Sequence, residues 1–211
     1  MRITKYGHAC VRLEHAGVSL VVDPGLFADA EVLAGADAVL ITHEHPDHYQ
    51  PELLRTSSAA IYTIDAVATK IRAEIPEAVD RLHVVAPGDV LDLGLRVEVF
   101  GEQHAVIHPD LPRFFNSGYL FDLGGSTVFH PGDALDLPKC TVDVLMVPSS
   151  APWLRSADAV DFARAVGAPT NLAIHDRVYT EFGHGVLDTQ MKALLGSEQR
   201  YLRVPDGTDL D

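Results

Sequence analysis

The chain has 211 residues, 47% of them apolar, and thirty Asp and Glu against sixteen Lys and Arg give a net charge of −14. That length suits one globular domain with a full core, and no run approaches the roughly eighteen apolar residues of a membrane span. The acidic field repels polyanions and anionic lipid, so neither nucleic acid nor a membrane is expected as a partner, and a small-molecule substrate is.

The opening, residues 1–7, has no apolar leader core. Cys10 and Cys140 are far apart and make no disulfide framework, so a cytoplasmic location is expected. No pattern fixes the oligomeric state, and a homo-oligomer is compatible with the sequence.

The first third reads as β. Residues 2–6, 9–14 and 18–23 are short β-prone runs, and His15-Ala16-Gly17 is a turn that makes the last two a hairpin. Asp23-Pro24-Gly25 stops the third run. Residues 38–42 form an apolar buried strand. A short helix over 51–57 opens on Pro51. Residues 59–63 form a strand, and a helix over 65–74 stops before Pro76. Strands follow at 82–85, 90–93 and 95–101, then a loop rich in His and Pro over 103–112.

The second half repeats this style. Residues 118–122 and 127–130 make a hairpin around Gly124-Gly125, and 142–147 is a buried strand. Ser156 is the expected N-cap of a helix to Val166, with Asp158 in its first turn and Gly167 ending it. A strand over 172–174, a helix over 186–195 and a strand over 201–204 complete the chain. No fixed-period repeat or linker divides it, so residues 1–211 are read as one domain. Two packed sheets with helices outside are the layered solution that buries these strands.

The chemistry concentrates where the strand at 38–42 ends. His43-Glu44-His45-Pro46-Asp47-His48 puts four metal-capable side chains in six residues. A strand end fixes the backbone, and the loop aims several side chains at one point. Imidazole and carboxylate together suit zinc, and also manganese or iron. His104, Asp133 and His175 each lie at or just after a predicted strand end. Ends of separate strands can converge on one edge of a sheet pair.

These residues resemble the metallo-β-lactamase superfamily over essentially the whole chain. The family motif His-x-His-x-Asp-His reads here as His43-Glu44-His45-Pro46-Asp47-His48. Its later isolated His, its Asp and its final His are matched by His104, Asp133 and His175, with Gly132 before the Asp. Asp23 resembles the family's early strand-end Asp. Gly7-His8-Ala9-Cys10 and the small size are most similar to the ascorbate-6-phosphate lactonase-type branch.

The resemblance implies an α/β fold, a four-layer αβ/βα sandwich of two mixed sheets with helices on the outer faces. It also implies a two-metal site between the sheets. His43, His45 and His104 would hold one ion, Asp47, His48 and His175 the other, and Asp133 would bridge them. Two divalent ions, zinc first and manganese or iron next, would make hydroxide available at neutral pH. The implied activity is metal-dependent hydrolysis of a small ester, lactone or phosphoester, with Asp47 as the catalytic residue that orients the nucleophile. A mononuclear-iron oxygenase of the same superfamily is the runner-up, and a metal-dependent nuclease or phosphodiesterase is the third reading. Retention of both Asp47 and His48 favours two metals, and the acidic charge disfavours the nuclease.

Four further residues are candidates to orient a ligand or touch substrate. Asp23 would hold a ligand imidazole, against a plain turn-forming role. His8 would approach the metals, against a packed core imidazole. His108 competes with His104 as third ligand, and His104 is preferred because it lies nearer the strand end. His184, between Gly183 and Gly185, would sit on a mobile loop and contact substrate. Trp153 is expected to anchor a loop. Arg113, Asn116 and Arg177 are candidates to bind an anionic group.

Overall fold

The computed structural model describes residues 1–210. The chain runs β1 (Arg2–Lys5), β2 (Val11–His15), β3 (Val18–Val22), β4 (Ala38–Ile41), α1 (Pro51–Arg55), β5 (Ala60–Thr63), α2 (Asp65–Glu74), β6 (Leu82–Val84), β7 (Val90–Asp92) and β8 (Arg96–Phe100). It continues with β9 (Gly118–Asp122), β10 (Thr127–His130), β11 (Val144–Pro148), α3 (Ser156–Val166), β12 (Thr170–Ile174), α4 (Glu181–Leu194), β13 (Arg200–Leu202) and β14 (Thr208–Asp209). Short 3-10 turns at Ala30–Leu33 and Pro76–Arg81 complete it.

Among the described residues the strands form two seven-stranded sheets, ordered β14-β1-β2-β3-β4-β5-β6 and β13-β12-β11-β10-β9-β8-β7. In the first, β1, β2 and β3 are antiparallel and β3 to β6 parallel. In the second, β7 to β10 are antiparallel and β10 to β13 parallel. Strand alternation explains the layers, because successive side chains face opposite ways. Leu20, Val22 and Leu40 of the first sheet meet Val97, Phe121, Met146 and Leu172 of the second in a central core. Val21, Val39 and Ile41 turn outward against Leu54 of α1 and Val67 and Ile71 of α2. Leu145 and Val147 turn outward against Ala159 and Phe162 of α3 and Leu187 and Met191 of α4. This is the expected αβ/βα sandwich. Each fully buried Leu or Phe in it contributes about 1.5–3 kcal/mol.

This topology also places the site. β1, β3 and β4 point the same way, and so do β8, β10, β11 and β12. Their C-terminal ends share one edge of the sandwich, and each is followed within four residues by a polar residue of interest. Tyr119, fully buried in β9, fastens the two sheets there by donating to Ile41 O at 2.9 Å.

Two helix starts differ from expectation, and α1 stops at Arg55, two residues short of the expected 57. The N-cap of α3 is Arg155, not Ser156, and the Asp158 carboxylate accepts the Arg155 N–H at 3.2 Å. Helix α4 starts at Glu181, five residues before the expected Val186, because Thr180 caps it by accepting from Gly183 N at 3.3 Å. The glycines suggested a loop, but a side-chain cap and a buried face outweigh the modest cost of glycine in a helix.

Candidate metal centre

Each strand end delivers one piece of the site. The turn after β4 carries His43, His45, Asp47 and His48. The turns after β8, β10 and β12 carry His104, Asp133 and His175. The turn after β1 carries His8, and that after β3 carries Asp23. Three of these residues, His8, Asp23 and His175, have left-handed backbone with φ near 50°, which is costly for side-chain-bearing residues. His175 N donates to His8 O at 3.0 Å, which locks two of the three strained turns together.

Glycine is required beside this edge at two positions. A Cβ on Gly25 would collide with the Asp47 carbonyl, so the motif loop closes down on bare backbone. A Cβ on Gly132 would overlap the Asn116 amide oxygen and come within 2.8 Å of Thr42.

The ligand-type atoms gather in two groups, His43, His45, His104 and Asp133 in one and His8, Asp47, His48 and His175 in the other. Within each group, one such atom per residue lies within 4.8 Å of the others. Asp133 reaches across both. Its Oδ1 lies 3.1 Å from His48 Nε2, and its Oδ2 lies 3.3 Å from His104 Nε2 and 3.2 Å from His175 Nε2.

The far side of four of the imidazoles is already committed, and His45 Nδ1 lies 2.9 Å from His43 Nε2. His48 Nδ1 donates to Asp23 Oδ2 at 2.7 Å. His104 Nδ1 donates to Ala105 O at 2.6 Å, and His175 Nδ1 donates to Ser150 O. His43 Nδ1 lies 3.0 Å from Thr42 Oγ1, whose own hydrogen goes to Asp23 Oδ2 at 2.8 Å. Those bonds keep a proton on Nδ1, so that each ring, when neutral, points its Nε2 lone pair inward, the usual orientation of metal-bound imidazole.

Inward, four of the atoms lack partners. His48 Nε2, His104 Nε2, His175 Nε2 and Asp133 Oδ1 are all buried without a hydrogen bond of acceptable geometry. Four unsatisfied polar atoms in one buried spot would cost several kcal/mol unless something satisfies them. Divalent cations bound among them would satisfy all four, so the residues fit such ions. Electrostatics agree. Burial pulls His48 and His175 down, yet Asp133 and its neighbours raise both, His175 to about 9. Asp133, despite burial, sits well below the carboxylate range because of His175 and His48. The cluster around it attracts positive charge.

His8 is different. Its Nδ1 accepts from Arg177 N at 3.2 Å, so the ring proton lies on Nε2, which donates to Asp47 Oδ2 at 3.0 Å. Burial pushes its pKa to about 4, so the ring is neutral. Although it stands among the ligand-type atoms, its inward nitrogen is a donor, and it orients Asp47.

Asp23 is fully buried and also accepts Thr42 N at 2.8 Å, so it orients His48 and braces the motif. His104 is fully buried at the cluster, whereas His108 is exposed out on the following loop and accepts from Asp110 N. His184 is not on a mobile loop. It lies buried in α4, and its Nε2 donates to Asp176 O at 3.0 Å, away from the ligands. Asn116 is a brace too, donating to Pro131 O and accepting from Asp133 N at 3.0 Å. Arg113 holds His104 O and Gln103, and Arg177 pairs with Asp206.

Trp153 belongs to the centre rather than only to its own loop. Its Nε1 donates to Asp133 Oδ2 at 3.2 Å, and its ring lies 5.5 Å from that of His104. Its only sequence signal was a position just beyond a strand end.

Comparisons with known proteins follow this geometry. The family profile described as the beta-lactamase superfamily domain matches residues 2–175. Protein Rv0786c of Mycobacterium tuberculosis is 38% identical over 196 residues, covering 88% of this chain and 89% of that one. A UPF0173 metal-dependent hydrolase of Methanosphaerula palustris is 26% identical over 193 residues, 83% of each chain. Among solved structures, the metallo-beta-lactamase fold protein YhfI of Bacillus subtilis superposes with a TM-score of 0.76 at 17% identity, over 99% of this chain and 98% of that one. CmlA, a diiron beta-hydroxylase of Streptomyces venezuelae, superposes with a TM-score of 0.77 at 17% identity, over 99% of this chain and 54% of that one.

Proposed function

The chain belongs to the metallo-β-lactamase superfamily, and from that membership we propose that it is a metal-dependent hydrolase of a small ester, lactone or phosphoester, working with two divalent ions. The ascorbate-6-phosphate lactonase branch is one form of this reading. The observation that carries it is the convergence of unpartnered Nε2 and Oδ1 atoms of His48, His104, His175 and Asp133. The relative from Methanosphaerula palustris, named a metal-dependent hydrolase, supports the reaction type.

In this reading His43, His45 and His104 hold one ion, Asp47, His48 and His175 the other, and Asp133 is shared. Zinc suits the donor set, as do manganese and iron. Bound ions would supply Lewis acidity and a water of lowered pKa. The chain supplies the rest. Asp47 is the most accessible of the clustered carboxylates, its side chain 24% exposed, so it faces the approach of substrate. Its Oδ2 is held by His8 and lies 3.3 Å from His175 Nε2, so Oδ1 is the oxygen left to orient an attacking water and take its proton. Trp153 and the Asn116 amide keep Asp133 from turning away.

The test is a panel of esters, lactones and phosphodiesters on metal-quantified protein, repeated with zinc, manganese and iron. Hydrolysis with two ions per chain is the expected outcome. An oxidative reading has one observation behind it, the CmlA fold match. Because that protein is a diiron enzyme, metal count alone does not separate the readings, and dependence of turnover on dioxygen does. Oxygen-dependent turnover with no hydrolysis overturns the hydrolase.

A further inference from the structure

Residues 105–113 form a compact loop whose two ends meet on the metal centre. His104 N donates to Phe114 O at 3.0 Å, Ala105 N to Asp133 O at 2.8 Å, and Arg113 Nε to His104 O at 2.7 Å. A bridge between Gln103 and Phe115 closes the neck. Loops closed at the base in this way pack on their own side chains and often carry function. This one frames a half-open cavity of about 370 Å3 whose mostly apolar lining includes Val106, Ile107, Leu111 and Phe114, with His108 and Arg113 at its polar positions. That volume falls at the lower end of the roughly 300–1,000 Å3 of small-molecule sites.

The cavity is coupled to the ligands through one wall. The Phe114 ring stands 4.5 Å from that of His45 and 6.3 Å from that of His104. Val106 and Leu111 are each 53% exposed, so the loop presents apolar surface to water instead of hiding it. On the opposite side Phe27, 42% exposed, packs 5.0 Å from the His8 ring.

Charge points the same way. The cations bonded to the ligand-bearing segments already have oxygens. Lys70 holds Glu44 O, Arg113 holds His104 O and Gln103, Arg177 pairs with Asp206, and Lys5 lies between Asp176 and Asp206. The chain itself therefore offers no spare side-chain cation beside the apolar wall, and an anionic group there would have only the ions of the centre to replace its hydration.

Resting on the hydrolase reading above, we propose that the loop over 105–114 is the selectivity pocket of the centre. It takes the apolar chain or ring of an uncharged carboxylic ester or lactone, in preference to any phosphoester. Water adds at the acyl carbon, the acyl C–O bond breaks, and the alkoxide oxygen takes a proton. An ester yields a carboxylic acid and an alcohol, a lactone a single hydroxy acid, with no change of oxidation state.

The test compares metal-loaded protein on 4-nitrophenyl acetate, 4-nitrophenyl octanoate and bis(4-nitrophenyl) phosphate. Each methylene housed in the loop is worth about fourfold, so the octanoate-to-acetate ratio of kcat/KM is expected at about 100 or more. The phosphodiester is expected to be slowest. The double variant Val106→Ser/Leu111→Ser should compress the ratio about tenfold or more. As a second readout, octanamide binding to metal-free protein, followed by the emission of the single Trp153, should weaken in the same variant. An octanoate-to-acetate ratio near one, a ratio unmoved by the double variant, or a phosphodiester turned over fastest overturns the pocket and leaves the hydrolase standing. Absence of turnover on every ester and lactone overturns the hydrolase reading and the ester class with it. Octanamide binding lost in the variant would then still identify the loop as an apolar-ligand pocket.

Discussion

The two halves of the centre are built from different material. Around His43, His45 and His104 the donors are imidazoles, walled by Phe114, and burial drives His43 well below its ordinary pKa and His45 down to about 4. Around Asp47, His48 and His175 a carboxylate is added, and His48 and His175 are raised by Asp133 and the neighbouring acids. In the first half burial lowers His43 and His45, and half-buried His45 stands against the Phe114 ring. The second is open at Asp47 and supported from behind by His8 and Asp23. The lesson is a division of labour: one half meets the apolar loop, the other presents to solvent a carboxylate held from behind.

Removing what the halves share should have the largest effect. Asp133→Ala is expected to bring bound metal from two ions per chain to one or none and activity to background, read by elemental analysis beside rate. Two tightly held ions in that variant would break the idea of a shared carboxylate. Asp47→Ala comes next. Loss of a positioned acid–base group costs about 10²–10⁴-fold, here with the circular dichroism spectrum unchanged and the imidazole half still loaded. Near wild-type turnover would remove Asp47 from the mechanism.

Asp23→Asn sharpens the contrast between halves. It should weaken metal binding in the Asp47 half by about 10–100-fold and spare the other, because only His48 among the ligands leans directly on that carboxylate. Equal weakening of both sites would show that Asp23 acts by bracing the whole loop. His8→Ala is expected to lower kcat about tenfold with little change in KM or in metal content, and His8→Gln, which keeps an N–H, to restore part of it. If bound metal fell by one ion instead, His8 would be a ligand. Trp153→Phe is the mildest case, about 2–10-fold in rate for one lost hydrogen bond to Asp133. No change at all would reduce Trp153 to packing.

Several features of the site were open to a reading of sequence. The run from His43 to His48 is dense enough in donors to announce itself, and β4 before it is uniformly apolar. Asp23, at a strand end before Pro24-Gly25, also carried a local signal. His184 misled because flanking glycines suggest a loop, whereas the Thr180 cap and a buried face make a helix. Arg113, Asn116 and Arg177 looked free because their partners, His104 O, Pro131 O and Asp206, are set by tertiary folding. The tautomer of His8 was hidden for the same reason, since its acceptor contact comes from Arg177, on the far side of the sequence.

What the amino-acid order determined by itself was local: strand alternation, helix stops at proline and glycine, and a donor-rich loop at the end of one strand. Those follow from steric and hydrophobic periodicities that operate over a few residues. Which donors meet, which ring nitrogen carries a proton, and that an apolar loop stands beside the donor cluster were decided only by folding. Each of those depends on atoms from distant strands brought to one sheet edge, where burial leaves them no water to bond.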